Sequence, residues 1–202
     1  MIDKLVDEIN VALSHNLYFA ALSLVRTLPD ICGRAEYPSD GVTKRYISWY
    51  NEYIGRYDRC SCDDCKEAQM PYLSGEVVYN LRNSFLHQGT PNIDSSQIKD
   101  PSNQLDEFTL VIETKNEFDI YSDAASITES NQGEIKHRSY RVNIRRLYMI
   151  ITLSAKSYYD KNKDKFDFLN YQILDWDQYI ESVPVANMHI TSDDLSTIII
   201  ES

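Results

Sequence analysis

A chain of 202 residues is long enough to bury a substantial core as one domain with an appendage. Its formal charge of -11 excludes a protein that coats nucleic acid by bulk charge, because phosphate affinity comes largely from Lys and Arg releasing counterions. No apolar run approaches the roughly 20 residues of a membrane helix, and the acidic start from Met1 to Asn10 differs from a secretory signal, so a soluble cytoplasmic protein with no membrane partner is expected.

In chain order, Leu5, Val6, Ile9, Ala12, Leu13, Leu17, Ala20, Leu24 and Val25 recur at three- and four-residue steps. This spacing predicts one long amphipathic helix from Ile2 to about Thr27. Pro29 and Gly33 punctuate its end, and Arg26 and Asp30 are placed to pair across the junction. A second helix is expected from near Asp40 to Tyr57, with Val42, Tyr46, Trp49, Tyr50, Tyr53 and Ile54 on one face. Such an aromatic stripe either stacks on bases or fills a core, and the core is the preferred assignment at helical spacing.

The loop RCSCDDCKEA follows, carrying Cys60, Cys62 and Cys65. A Cys-x-Cys-x-x-Cys run holds zinc if Cys32, a histidine or Asp63/Asp64 supplies a fourth ligand. Two recognisable ligand pairs are missing, so the expectation is a reduced polar loop with no metal and no cofactor.

Ser74 to Gly89, SGEVVYNLRNSFLHQG, has both a start and a stop signal. Ser74 suits an N-cap, Val77, Val78, Leu81, Phe85 and Leu86 keep helical spacing, and Gly89 suits a left-handed C′ position. Arg82, Asn83 and His87 sit near the C-terminal end. Arg82 and His87 lie about 140° apart around the axis and about 7.5 Å apart along it, whereas Asn83 and His87 share a face.

After Gly89 the stretch TPNIDSSQIKDPSNQLD reads as a loop. Phe108, Leu110 and Ile112, then Phe118 and Ile120, predict two strands in a hairpin. A polar linker from about Ser122 to Glu134 leads to a third strand through Tyr140, Val142 and Ile144. A helix starts near Asn143 and runs through Leu147, Ile150, Ile151, Ser154, Ala155 and Tyr158. Beyond it, a short helix is expected around Trp176 to Ile180 and an apolar strand or tail at Thr197 to Ile200.

Arg82-Asn83-Ser84-Phe85-Leu86-His87 resembles the RxxxxH motif of the HEPN superfamily, in the form with a polar residue directly after the arginine. The order of predicted helices resembles that family over most of residues 1 to 160. The resemblance implies a mainly α fold, an up-and-down HEPN-like four-helix bundle with a small antiparallel β insertion at about 106–144 before the last bundle helix. Residues 161–202 are then a C-terminal appendage. It also implies a metal-independent endoribonuclease, often a toxin or antiviral effector, acting as a homodimer alongside an antitoxin or regulatory protein. In that chemistry His87 moves a proton, Arg82 holds phosphate and Asn83 orients one of them. Cleavage leaves 2′,3′-cyclic phosphate and 5′-hydroxyl ends. Gly89 stands where some toxin members carry a tyrosine that is modified by their antitoxin.

The one basic tract, KHRSYRVNIRR, offers Lys136, Arg138, Arg141, Arg145 and Arg146. Arg138, Arg141, Arg145 and Arg146 are the candidates for guiding an RNA backbone, against a solvated strand and helix start. The rival to the nuclease is a non-catalytic HEPN-like module that binds a nucleotide or a protein, which the net acidity favours.

Overall fold

The computed structural model describes residues 1–67, 69–89, 93–113, 122–128, 135–169 and 174–182. The chain is mainly helical with one small three-stranded sheet. It divides into two compact units, Met1–Phe168 and Leu169–Ser202.

The apolar repeat at the N-terminus is helical but not one helix. α1 spans Ile2–Ser14 and α2 spans Tyr18–Val25. Between them Asn16 takes a positive φ of 56°, a conformation asparagine tolerates better than most side chains. His15 Nδ1 lies 2.9 Å from the Val11 carbonyl oxygen, and the Leu17 N–H donates to Ala12 at 2.8 Å. The polar Ser14-His15-Asn16 step thus bends the chain while its backbone N–H groups stay paired.

Pro29 and Gly33, read as helix breakers, lie inside a further helix, α3, Leu28–Glu36. Pro29 is in the first turn, where its missing N–H costs nothing. Gly33 faces α4, Val42–Tyr50, so closely that a Cβ there would sit 2.6 Å from the Arg45 carbonyl oxygen. Arg26 and Asp30 do not pair. Arg26, with no exposed surface, donates to the carbonyls of Leu22 at 2.7 Å and Leu81 at 2.6 Å and stacks on Phe85, while Asp30 accepts from Arg45.

After α4 the chain widens into a π turn, Asn51–Gly55, and returns to α-helix in α5, Arg56–Asp58. The expected aromatic stripe is core: Tyr46, Trp49 and Tyr50 are wholly buried, with Trp49 stacked on Tyr53 and edge-on to Tyr158. Val42 is exposed instead. A short helix α6, Asp63–Glu67, carries Cys65 and has no buried residue.

α7, Gly75–Gln88, has the ends that its sequence announces. Ser74 Oγ accepts from the Val77 N–H, and Gly89 adopts a left-handed φ of 71°. The π turn adds a second cap, since Asn51 Oδ1 accepts from the Gly75 N–H at 2.7 Å. Val77, Val78 and Leu81 are buried, Phe85 is half-buried and Leu86 is exposed. α4 and α2 are the neighbours of α7, and α1, α2 and α3 lie against α8, Ile144–Lys161.

The described part of the segment after Gly89 is an ordered connection. Asp94 and Asp100 each accept from the N–H two residues on, starting 3-10 turns at Ser95–Gln97 and Pro101–Asn103. Ile98, Asn103 and Leu105 are buried.

In the sheet, β1 is Glu107–Val111, β2 is Ser122–Thr128 and β3 is Ile135–Asn143. Their order is β1-β3-β2, with β1 parallel and β2 antiparallel to the central β3. The second strand of the expected hairpin falls on residues that are not described, whereas Ser122–Thr128, read as linker, is a strand paired with β3. Its SDAASIT sequence has no strict alternation and takes strand form through its ladder with β3. Phe118, Ile120 and Thr197 to Ile200 lie outside the described residues.

α8 starts where Asn143 Oδ1 accepts from the Arg145 N–H at 2.9 Å. At the end of the first unit buried Phe166 packs on Tyr158 and Tyr159. Within the second unit, α9, Trp176–Ser182, stacks Trp176 on Tyr179. Among the described residues no helix is long and apolar enough to cross a membrane.

Candidate functional site

α7 forms one wall of a polar cavity of about 480 Å³, with Tyr79, Asn83, Ser84 and His87 among its lining residues. α4 contributes Thr43 and Ile47, and the 93–100 segment contributes Asp94, Gln97 and Lys99. The walls are tied together. Asn80 holds the loop through a reciprocal pair, its Nδ2 donating to the Asp94 carbonyl at 2.8 Å and its Oδ1 accepting from the Asp94 N–H at 3.2 Å. Glu76 accepts from the Lys99 N–H at 3.0 Å, and Tyr79 shares a 2.8 Å hydrogen bond with Thr43 across to α4. Two neighbouring hydroxyl and backbone donors, both from Ser96, hold the Asp94 carboxyl below its ordinary value of 3.8.

Of the motif residues, Asn83 and His87 line this cavity together, as their four-residue spacing requires. His87 is exposed at the last turn of α7. Arg82 is turned toward α3 and α4. Its side chain is 18% exposed, 3.6 Å from Asp30 Oδ2, and its guanidinium lies 6.0 Å from the Tyr46 ring centroid and 5.8 Å from that of Tyr79. One link joins it to the cavity: Arg82 Nη1 donates to Asn83 Oδ1 at 3.2 Å. With that oxygen occupied, the Asn83 amide N–H groups remain as donors for a ligand, and the guanidinium charge polarises them.

Asp30 is shared. Its Oδ1 accepts from both Nε and Nη2 of Arg45, at 3.0 and 2.9 Å, while its Oδ2 faces Arg82. The carboxylate holds two arginines at the α3–α4–α7 junction, so its position decides where Arg82 and hence Asn83 stand.

The arginines of the basic tract are brought to other places. Arg138 donates to Gln69 and to the Pro101 carbonyl, and Arg141 pairs with Asp123. Arg145 lies over Tyr18, and Arg146 makes a nearly buried 2.7 Å ion pair with Asp58. None of the four lines the cavity. Their partners are long-range in the chain, which is why a run of like charge in the sequence does not become a patch. The side chain of Lys136 lies outside the described residues.

Lys99, Tyr79 and Asn80 are cavity or wall residues that the sequence alone did not single out. The legible sign was the repeated Asp-x-Ser at 94–96 and 100–102, which predicts two capped turns and so a fixed wall. Outside this cavity, Cys60, Cys62 and Cys65 bring metal-ligating atoms together. No protein-family model, no curated protein and no solved structure matches the chain.

Proposed function

We propose that this chain is a HEPN-like helical-bundle protein that cleaves RNA as a homodimer, with Asn83 and His87 at the reacting phosphate and Arg82 behind them. The observation that carries the reading is that Asn83 and the exposed His87 line one polar cavity while Arg82 hydrogen-bonds the Asn83 amide. His87 accepts the proton of a ribose 2′-hydroxyl. The 2′-oxygen forms a bond to phosphorus, and the bond from phosphorus to the 5′-oxygen breaks. The leaving oxygen takes a proton from water or from the imidazolium of a second copy. The ends left are a 2′,3′-cyclic phosphate and a 5′-hydroxyl. Asn83 donates to a phosphate oxygen, and Arg82 strengthens that donor from behind. Lys99 supplies a cation on the opposite wall. Phe19 and Leu86, both exposed near the end of α7, supply apolar surface for a second copy. A toxin or antiviral role, held in check by a regulatory protein, fits an RNA-cleaving activity of this kind.

A second reading is supported by Asp30. By pairing with Arg82 it spends part of the guanidinium charge inside the protein, which suits a nucleotide-binding module without cleavage. Cleavage of end-labelled single-stranded RNA separates the two. Wild type is expected to cut without magnesium, and His87→Ala, Asn83→Ala and Arg82→Ala to lose cutting. Equal cutting by all four overturns the nuclease. Nucleotide binding that is lost in Asn83→Ala, with no cutting by wild type, selects the second reading.

A further inference from the structure

The loop between α5 and α7 holds three thiols that the cavity does not use. Cys60 and Cys62 place their sulfurs 3.2 Å apart, and the ligand atoms of Cys60, Cys62 and Cys65 all lie within 4.8 Å of one another. Two sulfurs on a tetrahedral zinc ion, at Zn–S distances of about 2.3 Å, stand about 3.8 Å apart, so the three sulfurs are gathered on the scale of one ion. We infer that Cys60, Cys62 and Cys65 form a zinc site with three thiolate ligands and a fourth position open to water.

The local backbone supports this independently of the sulfur distances. The Cys65 N–H donates to Cys62 Sγ at 3.3 Å, which fixes that sulfur at the start of α6. α6 is five residues long and buries nothing, so neither helix propensity nor the core accounts for its fold. At the ends of the loop Asp58 accepts from the Leu73 N–H at 2.8 Å and Arg138 donates to Gln69 Oε1 at 2.6 Å, and within it the Met70 N–H donates to the Cys65 carbonyl at 3.0 Å. An ion held by three side chains between those ends adds a side-chain cross-link to these bonds.

The fourth ligand is not from the protein among the described residues. No His, Asp or Glu joins the three sulfurs, and Asp63 is turned to Lys66 at 3.2 Å. Cys32, the other cysteine, is wholly buried in α3 and outside the group. Beside Cys60 and Cys65 lies a cavity of about 80 Å³, room for a water molecule, whose share of liquid volume is about 30 Å³. Arg59 and Lys66 border the same cavity and offset part of the charge of three thiolates around a divalent ion. A zinc site with an open position does not need the second ligand pair that this sequence lacks.

The test uses the full chain, reduced and stripped of metal, titrated with Co²⁺. Expected are a thiolate-to-cobalt charge-transfer band and tetrahedral visible bands that saturate at one equivalent and are displaced by Zn²⁺. Cys62→Ser and Cys65→Ser are expected to lose the charge-transfer band, and Cys32→Ala to keep it. Zn²⁺ is further expected to slow amide exchange across residues 60–67. An octahedral cobalt spectrum in the folded wild type, or a charge-transfer band that survives in both serine variants, overturns the site. A protein purified with Cys60 and Cys62 joined as a disulfide, two hydrogens lighter in intact mass, overturns it as well. The RNA-cleavage reading stands or falls separately, since none of these variants touches the α7 cavity.

Discussion

Arg82 and His87 occupy opposite regimes although five residues separate them. His87 is exposed, so His87→Ala is expected to change stability by no more than about 0.5 kcal/mol while abolishing RNA cleavage. Arg82 is partly buried between Asp30 and Asn83, so Arg82→Ala is expected to lower stability by about 1 to 3 kcal/mol as well as activity. Urea midpoints for the two variants beside their cleavage rates check the split, and equal stability losses would contradict it. Glu36 gives a residue-scale prediction in pH. The Lys165 ammonium at 2.7 Å and the Tyr158 hydroxyl at 2.6 Å hold its carboxyl below the ordinary 4.5. A depressed carboxyl adds stability that is present above its unfolded value and lost as pH falls through the folded one. Glu36→Gln is therefore expected to be less stable than wild type at neutral pH and to approach it as pH falls through the depressed carboxyl value, read as melting temperature against pH. A constant gap down to low pH would place the stabilisation elsewhere.

At the scale of elements, close approach sets how α3 and α4 stand beside α7. Gly33 lets α3 touch the backbone of α4 at Arg45, and Arg45 in turn positions Asp30 beside Arg82. A methyl group at 33 meets a backbone oxygen that cannot rotate away, so Gly33→Ala is expected to cost about 1 to 3 kcal/mol and to reduce cleavage. Parallel urea melts and cleavage assays measure both. Stability lost with cleavage per folded molecule intact would show that the α3–α4 spacing does not reach the cavity. The π turn at Asn51–Gly55 is the other device of this kind. It carries Asn51, whose side-chain Oδ1 accepts from the first N–H of α7.

For the whole first unit, Asp58 is the junction between helices and sheet. It is 6% exposed in its side chain and accepts from Arg146 at 2.7 Å, from the Tyr140 hydroxyl at 2.9 Å and from the Leu73 N–H at 2.8 Å. These partners belong to α8, β3 and the approach to α7. Removing the charge leaves Arg146 nearly buried beside a neutral amide, so Asp58→Asn is expected to destabilise by about 3 to 5 kcal/mol. A chemical-denaturation midpoint near wild type would show that Arg146 is satisfied without it. The same residue bears on the cysteine loop, because α5 ends at Asp58 and the loop begins at Arg59.

What the amino-acid order determined by itself is local. α7 is legible from Ser74 to Gly89 because its cap, its apolar spacing and its left-handed stop lie within sixteen consecutive residues. The aromatic face of α4 and the start of α8 at Asn143 are legible for the same reason. The single helix expected from Ile2 to Thr27 failed at Asn16, where one residue in a tolerated left-handed conformation redirects the chain without disturbing the apolar repeat on either side. Tertiary structure decided everything that depends on partners far along the chain. Strand order was one such matter, since β3 pairs with both β1 and β2 and periodicity within a strand says nothing of its neighbour. The basic tract was another: a guanidinium takes the nearest carboxylate or carbonyl that folding supplies, and for Arg138, Arg141 and Arg146 these came from 15 or more residues away. The candidate site shows both kinds at once. Asn83 and His87 share a face by helical geometry alone, whereas Arg82 is directed by Asp30, fifty-two positions earlier, through a charge interaction that only the packing of α3 on α4 brings within 3.6 Å.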